Sequence, residues 1–570
     1  MKIVSAQKNF TVGDLNGNAE KIISTVKEYD HKDNLVVFSE LCVSGYPPLD
    51  LLDNDQFIDD QLFTVSHILK ETSMCNSYFV VGYFRRNSKR PGKPLFNSLS
   101  VCHKGEILYT YDKVLLPTYD VFDEDRYFEP GDSLPTYTFS GCKVGFAICE
   151  DLWPTNRYRQ NPIDQISNVW CDFVISINAS PSTVGKHEER LRLIQGHAKR
   201  FQLDIIYVNQ VGGNDDIVFD GNSFCVDRNG DLRSHSRSFE EDVKIIDKDI
   251  NWGVQPPVSS YDKAAVGANH VLNCPHEKFY MSKSPDAEFF CKQAELGLRD
   301  YLRKTGFSKV AIGESGGIDS AVTTAIAVQA VGPKNVIAVT MPSAYSSMGS
   351  VEDSEDLCDK LGVKLLTIPI MEQYDKFMEV FNSEYGPALP GVTEQNVQAR
   401  IRGQILMAIS NREGALVLST GNKSELSMGF CTIYGDMSGG INPIADCYKM
   451  EVYAMGRYLG IPERIMSKEP SAELSPNQID RDSLPPYPVL DTALRYFIEN
   501  EGCEEAVYEL LEKNGWTGDK IYRMLRTAEF KRRQAALGLK MHKKAFGFGR
   551  RYPIVNKYNY KEVRNSLNML

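Results

Sequence analysis

The chain has 570 residues, too many for one hydrophobic core, and two to four domains are expected. With 42% hydrophobic and 24% charged residues and no low-complexity tract, its composition is that of a globular protein and excludes a disordered one. A net charge of −11 argues against a general nucleic-acid binder.

From residue 1 to 265, short β-rich runs alternate with helical stretches. The runs are Lys2–Ala6, Leu35–Ser39, Tyr78–Gly82, Val144–Ile148, Phe173–Ile177 and Ile205–Val208, and Ala19–Tyr29 and Glu188–Arg200 read as helices. Asn97–Lys113 reads as a hairpin turning at His103–Gly105. Such alternation predicts a layered α/β domain over 1–265. A Pro- and Asn-bearing connector follows over 266–286, and a second domain over 287–570. The second domain repeats the alternation at Lys309–Ile312, Asn335–Thr340, Lys364–Ile368 and Ala415–Ser419, and predicts a doubly wound parallel sheet. Beyond residue 460 the pattern is helical, with a long loop over Ser475–Asp491 and a basic tail. Between Lys531 and Arg551 there are eight Lys or Arg and no acidic residue.

The start, Met1–Gln7, is too polar for a signal peptide, and no apolar run approaches the ~20 residues that span a bilayer. The expectation is a cytoplasmic protein with no membrane or nucleic-acid partner. Thirteen cysteines, an odd number without a C-x-x-C pair, suggest neither a zinc ribbon nor a disulfide scaffold. Most are expected to be buried hydrophobes, Cys42 and Cys171 among them.

Three residues follow strand ends in the first half: Glu40, Lys113 and Cys149. A carboxylate, an ammonium and a thiol form a complete set for amide hydrolysis. The thiol attacks the amide carbon, the carboxylate moves protons, and the ammonium holds the oxyanion. Taken singly, a strand-end Cys is more often packing, and a lone Glu or Lys more often solvated. Their joint order, with Tyr127–Gly131 between the second and third, resembles the nitrilase superfamily of carbon–nitrogen hydrolases. That resemblance implies an α-β-β-α sandwich.

Residues 313–320 read Gly-Glu-Ser-Gly-Gly-Ile-Asp-Ser between a predicted strand and a small-residue helix, Ala321–Ala330. Gly313, Ser315, Gly316, Gly317 and Ser320 build a loop that turns amides and hydroxyls toward a phosphate at a helix N-terminus. Asp319 adds a carboxylate for Mg²⁺. No G-x-x-x-x-G-K-[ST] string occurs, which excludes an ordinary P-loop. The hexapeptide from Ser315 to Ser320 resembles the signature of ATP pyrophosphatases, which split ATP between its α and β phosphates. A plain Gly/Ser turn is the minor alternative.

A nitrilase-type amidase joined to an ATP pyrophosphatase is, over nearly the full length, similar to the glutamine-dependent NAD synthetase family. The resemblance implies glutamine, ATP and deamido-NAD as substrates, Mg²⁺ as cofactor, a homo-oligomer, and ammonia passed between two sites. It makes Glu40 the general base, Lys113 the oxyanion lysine and Cys149 the nucleophile of a glutamyl thioester. Tyr46, Glu150, Ser180 and Lys186 fall where that family holds glutamine, and Glu124 is a second carboxylate near the lysine. Four downstream strings match as well. Asn396–Arg402 places Asn396 and Arg400 on one helical face, with Arg402 nearby, for deamido-NAD. Ser419–Glu425 brings Thr420 to the nucleotide and Glu425 both to the metal beside Asp319 and to deamido-NAD. The Gly-rich Tyr434–Pro443 leads to Lys449, placed for charge developing in the reaction. Leu474–Tyr487 reads as a lid or substrate loop. Standing alone, each string reads as an exposed helical face, a βα turn or a surface loop. The basic tail, from Lys531, reads as a phosphate clamp for the dinucleotide or as a solvated surface. Other amidotransferases built on the same ATP fold, and a non-catalytic nitrilase-like scaffold, are the alternatives. The residues at 40, 113, 149, 319 and 425 speak against the scaffold.

Overall fold

The computed structural model describes residues 1–88, 91–132, 134–153, 158–247, 285–386, 391–476, 478–501 and 504–558. The expected connector lies, up to residue 284, outside them. The described residues form two compact units. The first holds residues 1–247 with Glu288–Gly306 and Leu539–Met541; the second holds Phe307–Gly538 and residues 542–558. Among the described residues no helix is long and apolar enough to cross a membrane.

The first unit contains two six-stranded sheets. One has the order β14-β1-β2-β3-β4-β5, built from β1 (Lys2–Gln7), β2 (Asn34–Val37), β3 (Tyr78–Arg86), β4 (Leu95–His103), β5 (Glu106–Asp112) and β14 (Asp242–Asp247). The other has the order β13-β12-β9-β8-β7-β6, from β6 (Thr136–Phe139), β7 (Cys142–Ile148), β8 (Phe173–Asn178), β9 (Ile205–Asn209), β12 (Phe224–Val226) and β13 (Leu232–His235). A short pair, β10 (Val211–Asn214) with β11 (Ile217–Asp220), stands apart.

Side-chain alternation along the strands explains the layering. Leu35, Val37, Val80 and Leu99 of the first sheet meet Phe146, Ile148, Ile175 and Ile177 of the second in one core. The alternate residues Val36, Phe79 and Val81 face α1 (Leu15–Glu28) and α2 (Asp55–Glu71) through Ile22, Val26, Val65 and Ile68. On the far side, Val174, Ile205 and Tyr207 face α3 (Pro162–Asn168) and α4 (Lys186–Phe201) through Ile163, Ile166, Ile194 and Ala198. This is the expected α-β-β-α sandwich. The hairpin also forms, its turn held by left-handed Lys104 and Gly105. Helix α5 (Pro285–Thr305) joins this unit over most of its length, where Asp300 accepts from Asn9 Nδ2 and the Gly213 amide.

The second unit carries one sheet, β17-β16-β15-β18-β19-β20, in which every pairing is parallel. Its strands are β15 (Lys309–Gly313), β16 (Val336–Thr340), β17 (Lys364–Thr367), β18 (Ala415–Leu418), β19 (Ile441–Asn442) and β20 (Leu537–Gly538). The main helices are α6 (Ile318–Val331), α7 (Met348–Leu361), α8 (Met371–Tyr385), α9 (Val392–Glu413), α10 (Lys423–Met428), α11 (Lys449–Leu459), α12 (Glu463–Ser467) and α13 (Tyr487–Leu494). The chain winds outward from β15 in one direction through β17 and in the other from β18, so the switch point lies between β15 and β18. Ligands of open α/β sheets bind beyond the strand ends at such a point. The loop expected over Ser475–Asp491 ends earlier, since α13 begins at Tyr487. Pro488 sits in its first turn, where a missing N–H costs nothing.

Gly316 is the tightest point of the loop after β15. Its φ is +73°, and an added Cβ would lie 2.3 Å from the Ser350 carbonyl oxygen. Gly316→Ala is therefore expected to lower the stability of the second unit by about 1–3 kcal/mol, read as a lower urea midpoint.

Candidate active sites

In the first unit the C-terminal ends of β2, β5, β7 and β8 deliver Glu40, Lys113, Cys149 and Ser180 to one buried region. The Lys113 ammonium donates to Glu40 Oε1 at 2.7 Å and to Glu124 Oε1 at 2.8 Å, with the Lys113 and Glu40 side chains fully buried. Asn97, on β4, joins the two carboxylates from the other side, donating to Glu40 Oε1 at 2.8 Å and Glu124 Oε2 at 3.3 Å. Tyr46 adds a 2.8 Å hydrogen bond to Glu124, and the Ala179 amide donates to Glu40 Oε2 at 3.0 Å. The Tyr127–Gly131 string has a local purpose. The Gly131 amide donates to the Lys113 carbonyl, and an added Cβ there would lie 2.2 Å from the Asp112 carbonyl oxygen.

Cys149 stands at the head of a short 3₁₀ turn, Cys149–Leu152, in the left-handed region (φ 44°). That conformation is costly for a residue with a Cβ and is held by its surroundings. Burial raises its thiol well above the ordinary cysteine range, and Glu40 adds to this while Lys113 opposes it. Such a shift favours the protonated thiol at rest, so a nucleophilic role for it would need a base to take the proton. Burial likewise pushes the Glu124 carboxyl up to about 7, with Lys113 opposing and Glu40 reinforcing. Glu150 accepts from the Tyr119 hydroxyl (2.9 Å) and the Tyr158 hydroxyl (3.1 Å), and Lys186 lies 3.8 Å from the centre of the Trp153 ring. Ser180 is fixed by Asn209, whose Oδ1 accepts its amide at 2.9 Å.

The second unit holds a cavity of ≈ 530 Å³, within the size range of small-molecule sites, beyond the ends of β15 and β18. Asp319 enters on the first turn of α6 and Glu425 on α10, the first helices after those strands. The Lys449 ammonium, at the start of α11, bridges them, 2.5 Å from Asp319 Oδ2 and 3.0 Å from Glu425 Oε1. Asn422 caps α10 and also donates to Asp319 Oδ1 at 2.9 Å. Burial pushes the Glu425 carboxyl up, and Lys449 offsets this in part. The Tyr487 ring lies 5.1 Å from the Lys449 nitrogen, and its hydroxyl donates to Asp480 at 2.6 Å.

Of the residues singled out from sequence, Gly313, Ser315, Gly317, Asp319, Ser320, Asn396, Arg402, Thr420, Glu425 and Lys449 line this cavity. So do Leu474, Gln478 and Asp480 of the fourth string. Three others are placed differently. Gly316 packs against α7, Arg400 is exposed with its Nε on the Ile433 carbonyl, and Lys531 donates to the carbonyls of Gly429 and Cys431. Gly429 and Cys431 themselves line the cavity, so Lys531 braces its wall.

Sequence reasoning missed Asn97, Tyr119, Tyr158 and Glu314. The last is a buried carboxylate beneath the loop after β15, accepting from Ser320 Oγ (2.7 Å), Thr324 Oγ1 (2.8 Å) and the Gly316 amide (3.2 Å). Only its place inside the Gly313–Ser320 string pointed to it.

Comparison with known proteins agrees with both halves. The carbon–nitrogen hydrolase family matches residues 2–252 and the NAD synthase family matches residues 290–535. The fold and sites thus define a carbon–nitrogen hydrolase domain joined to an NAD synthase domain. Similar proteins include the glutamine-dependent NAD(+) synthetase of Aquifex aeolicus, 39% identical over 98% of this chain and 100% of that one. That of Synechocystis is 40% identical over 98% and 99%. The solved glutamine-dependent NAD+ synthetase of Acinetobacter baumannii, in complex with adenosine diphosphate, aligns with a TM-score of 0.73 at 35% identity, covering 97% of this chain and 98% of its own. This chain belongs to the glutamine-dependent NAD(+) synthetase family.

The raised Glu124 carboxyl gives a pH test. The folded protein keeps a proton on Glu124 that the unfolded chain has released. Stability from this group therefore falls as pH rises from 4.5 to about 7 and is level above that. The stability difference between Glu124→Gln and wild type should shift toward the variant by on the order of 1 kcal/mol or more across this window, followed by urea midpoints at each pH.

Proposed function

We propose that the chain converts deamido-NAD, ATP, glutamine and water to NAD, AMP, pyrophosphate and glutamate. The observation that carries this reading is the presence, in one polypeptide, of a sealed Cys–Lys–Glu site and a phosphate loop facing two carboxylates at the switch point of a parallel sheet.

In the first unit, Cys149 Sγ attacks the side-chain amide carbon of glutamine while Glu40 takes the thiol proton. Lys113 donates to the oxyanion that forms, and its second carboxylate partner, Glu124, fixes the ammonium in place. Glu40 returns the proton to the leaving nitrogen, and ammonia departs to leave a glutamyl thioester. Water, deprotonated by Glu40, then releases glutamate and restores the thiol. Tyr46, Glu150, Ser180 and Lys186 are assigned to holding glutamine.

In the second unit, the Ser315–Ser320 loop takes phosphate oxygens on its amides and hydroxyls. The nicotinate carboxylate of deamido-NAD is a poor electrophile. It attacks the α-phosphorus of ATP, pyrophosphate leaves, and the acyl-adenylate formed is open to attack. Neutral ammonia from the first site displaces AMP and gives the carboxamide. Asp319 and Glu425 are both within reach of one cation, the Lys449 ammonium, and their donor chemistry fits Mg²⁺. They would hold it, and a bound Mg²⁺ neutralises phosphate charge. Thr420 is assigned to the nucleotide. Asn396, Arg400, Arg402, Glu425, Lys449 and Lys531 are assigned to deamido-NAD, with Lys531 acting through the loop it braces.

Two measurements test this. Cys149→Ala should lower glutamine-driven NAD formation by about 10³-fold or more while synthesis from ammonium salt stays near wild type. Loss of both activities would refute the division of labour. Product analysis with deamido-NAD, ATP, Mg²⁺ and glutamine should give AMP and pyrophosphate; ADP would place the protein among kinase-like ligases instead.

A further inference from the structure

Lys113 and Cys149 follow strands of different sheets, and no strand ladder joins β5 to β7. Their relative position must be set by something other than backbone pairing. The Asp151 side chain, fully buried two residues beyond Cys149, lies between the two segments. Its Oδ1 accepts from the Val114 amide (3.1 Å) and the Leu115 amide (2.9 Å), the two residues after Lys113. Its Oδ2 accepts from the Tyr111 hydroxyl (2.9 Å), two residues before Lys113, and from the Ile148 amide (3.0 Å), immediately before Cys149.

One carboxylate thus brackets Lys113 on both sides and ties that bracket to the backbone of the left-handed cysteine. Four donors satisfy both oxygens, and three of them are main-chain amides that cannot rotate away. A buried carboxylate is costly unless its hydrogen bonds are complete, and here they are. We infer that Asp151 is a positioning residue for amide hydrolysis: it sets the distance between the Lys113 ammonium and the Cys149 thiol while touching neither reacting atom. The inference rests on the amidase reading of the first unit.

Asp151→Asn is nearly isosteric but keeps only one accepting oxygen, so it must present an N–H₂ donor to one pair of donors. A shift of ~1 Å between nucleophile and oxyanion donor costs on the order of 10- to 100-fold in rate with little change in substrate affinity. The experiment measures kcat and KM for glutamine hydrolysis in full-length wild type, Asp151→Asn and Tyr111→Phe, with deamido-NAD and ATP present. Ammonium-driven NAD synthesis is measured on the same samples as a check on the second unit. The expected result is a kcat lower by ~10- to 100-fold in Asp151→Asn and by ~2- to 5-fold in Tyr111→Phe, with KM within ~3-fold and ammonium-driven synthesis unchanged. An unchanged kcat in Asp151→Asn, or a loss confined to KM, overturns the proposal. Should that variant fail to fold, an unchanged kcat in Tyr111→Phe overturns it in the same way. Wild-type protein that turns over no glutamine would instead refute the amidase reading, and the positioning role with it.

Discussion

A buried ammonium shared by two buried carboxylates, Lys113 between Glu40 and Glu124, is the constraint around which the first unit is arranged. Charges removed from water are tolerated only when each is paired and hydrogen-bonded, and removing one partner of such a set costs about 3–5 kcal/mol. Asn97, Tyr46 and the Ala179 amide complete the set. They come from a β4 strand, a loop after β2 and the end of β8, so the cluster can assemble only when both sheets have closed on their common core. The sandwich thereby protects the cluster from water, and the cluster holds the strand ends in register with one another.

The second unit carries a related arrangement in a more open setting. Lys449 also lies between two carboxylates, Asp319 and Glu425, but these open onto a cavity of ≈ 530 Å³. Glu40 and Lys113 are fully buried, whereas Asp319 and Glu425 keep about a sixth of their side-chain surface exposed, 18% and 17%. A sealed pair suits a small, neutral amide that brings no counter-ions. A pair facing a roomy cavity suits polyanions, whose charge needs cations and solvent access.

Much of this was legible before any coordinates. Leu35 to Ser39 reads as a buried strand because both faces of β2 are covered, one by the second sheet and one by α1 and α2. The Ser315–Ser320 string states its own local conformation, since a tight strand-to-helix loop is built from consecutive residues. Asn97 was hidden because its role depends on Glu40 and Glu124, 57 and 27 residues away, and an Asn within a strand announces neither. Asp151 was hidden in the same way: its partners Tyr111, Val114 and Leu115 lie 36 to 40 residues away, and an Asp beside a cysteine announces none of them. The proline-bearing stretch Ser475–Asp491 suggested loop throughout, yet helix α13 begins inside it at Tyr487, because a proline in the first turn, Pro488, sacrifices no hydrogen bond.

The high resting pKa of Cys149 has a bearing on durability. Peroxide and electrophiles consume thiolates far faster than thiols. A sulfur kept protonated by burial is therefore spared most adventitious damage. The same desolvation that disfavours the thiolate thereby helps this sulfur keep its reduced form.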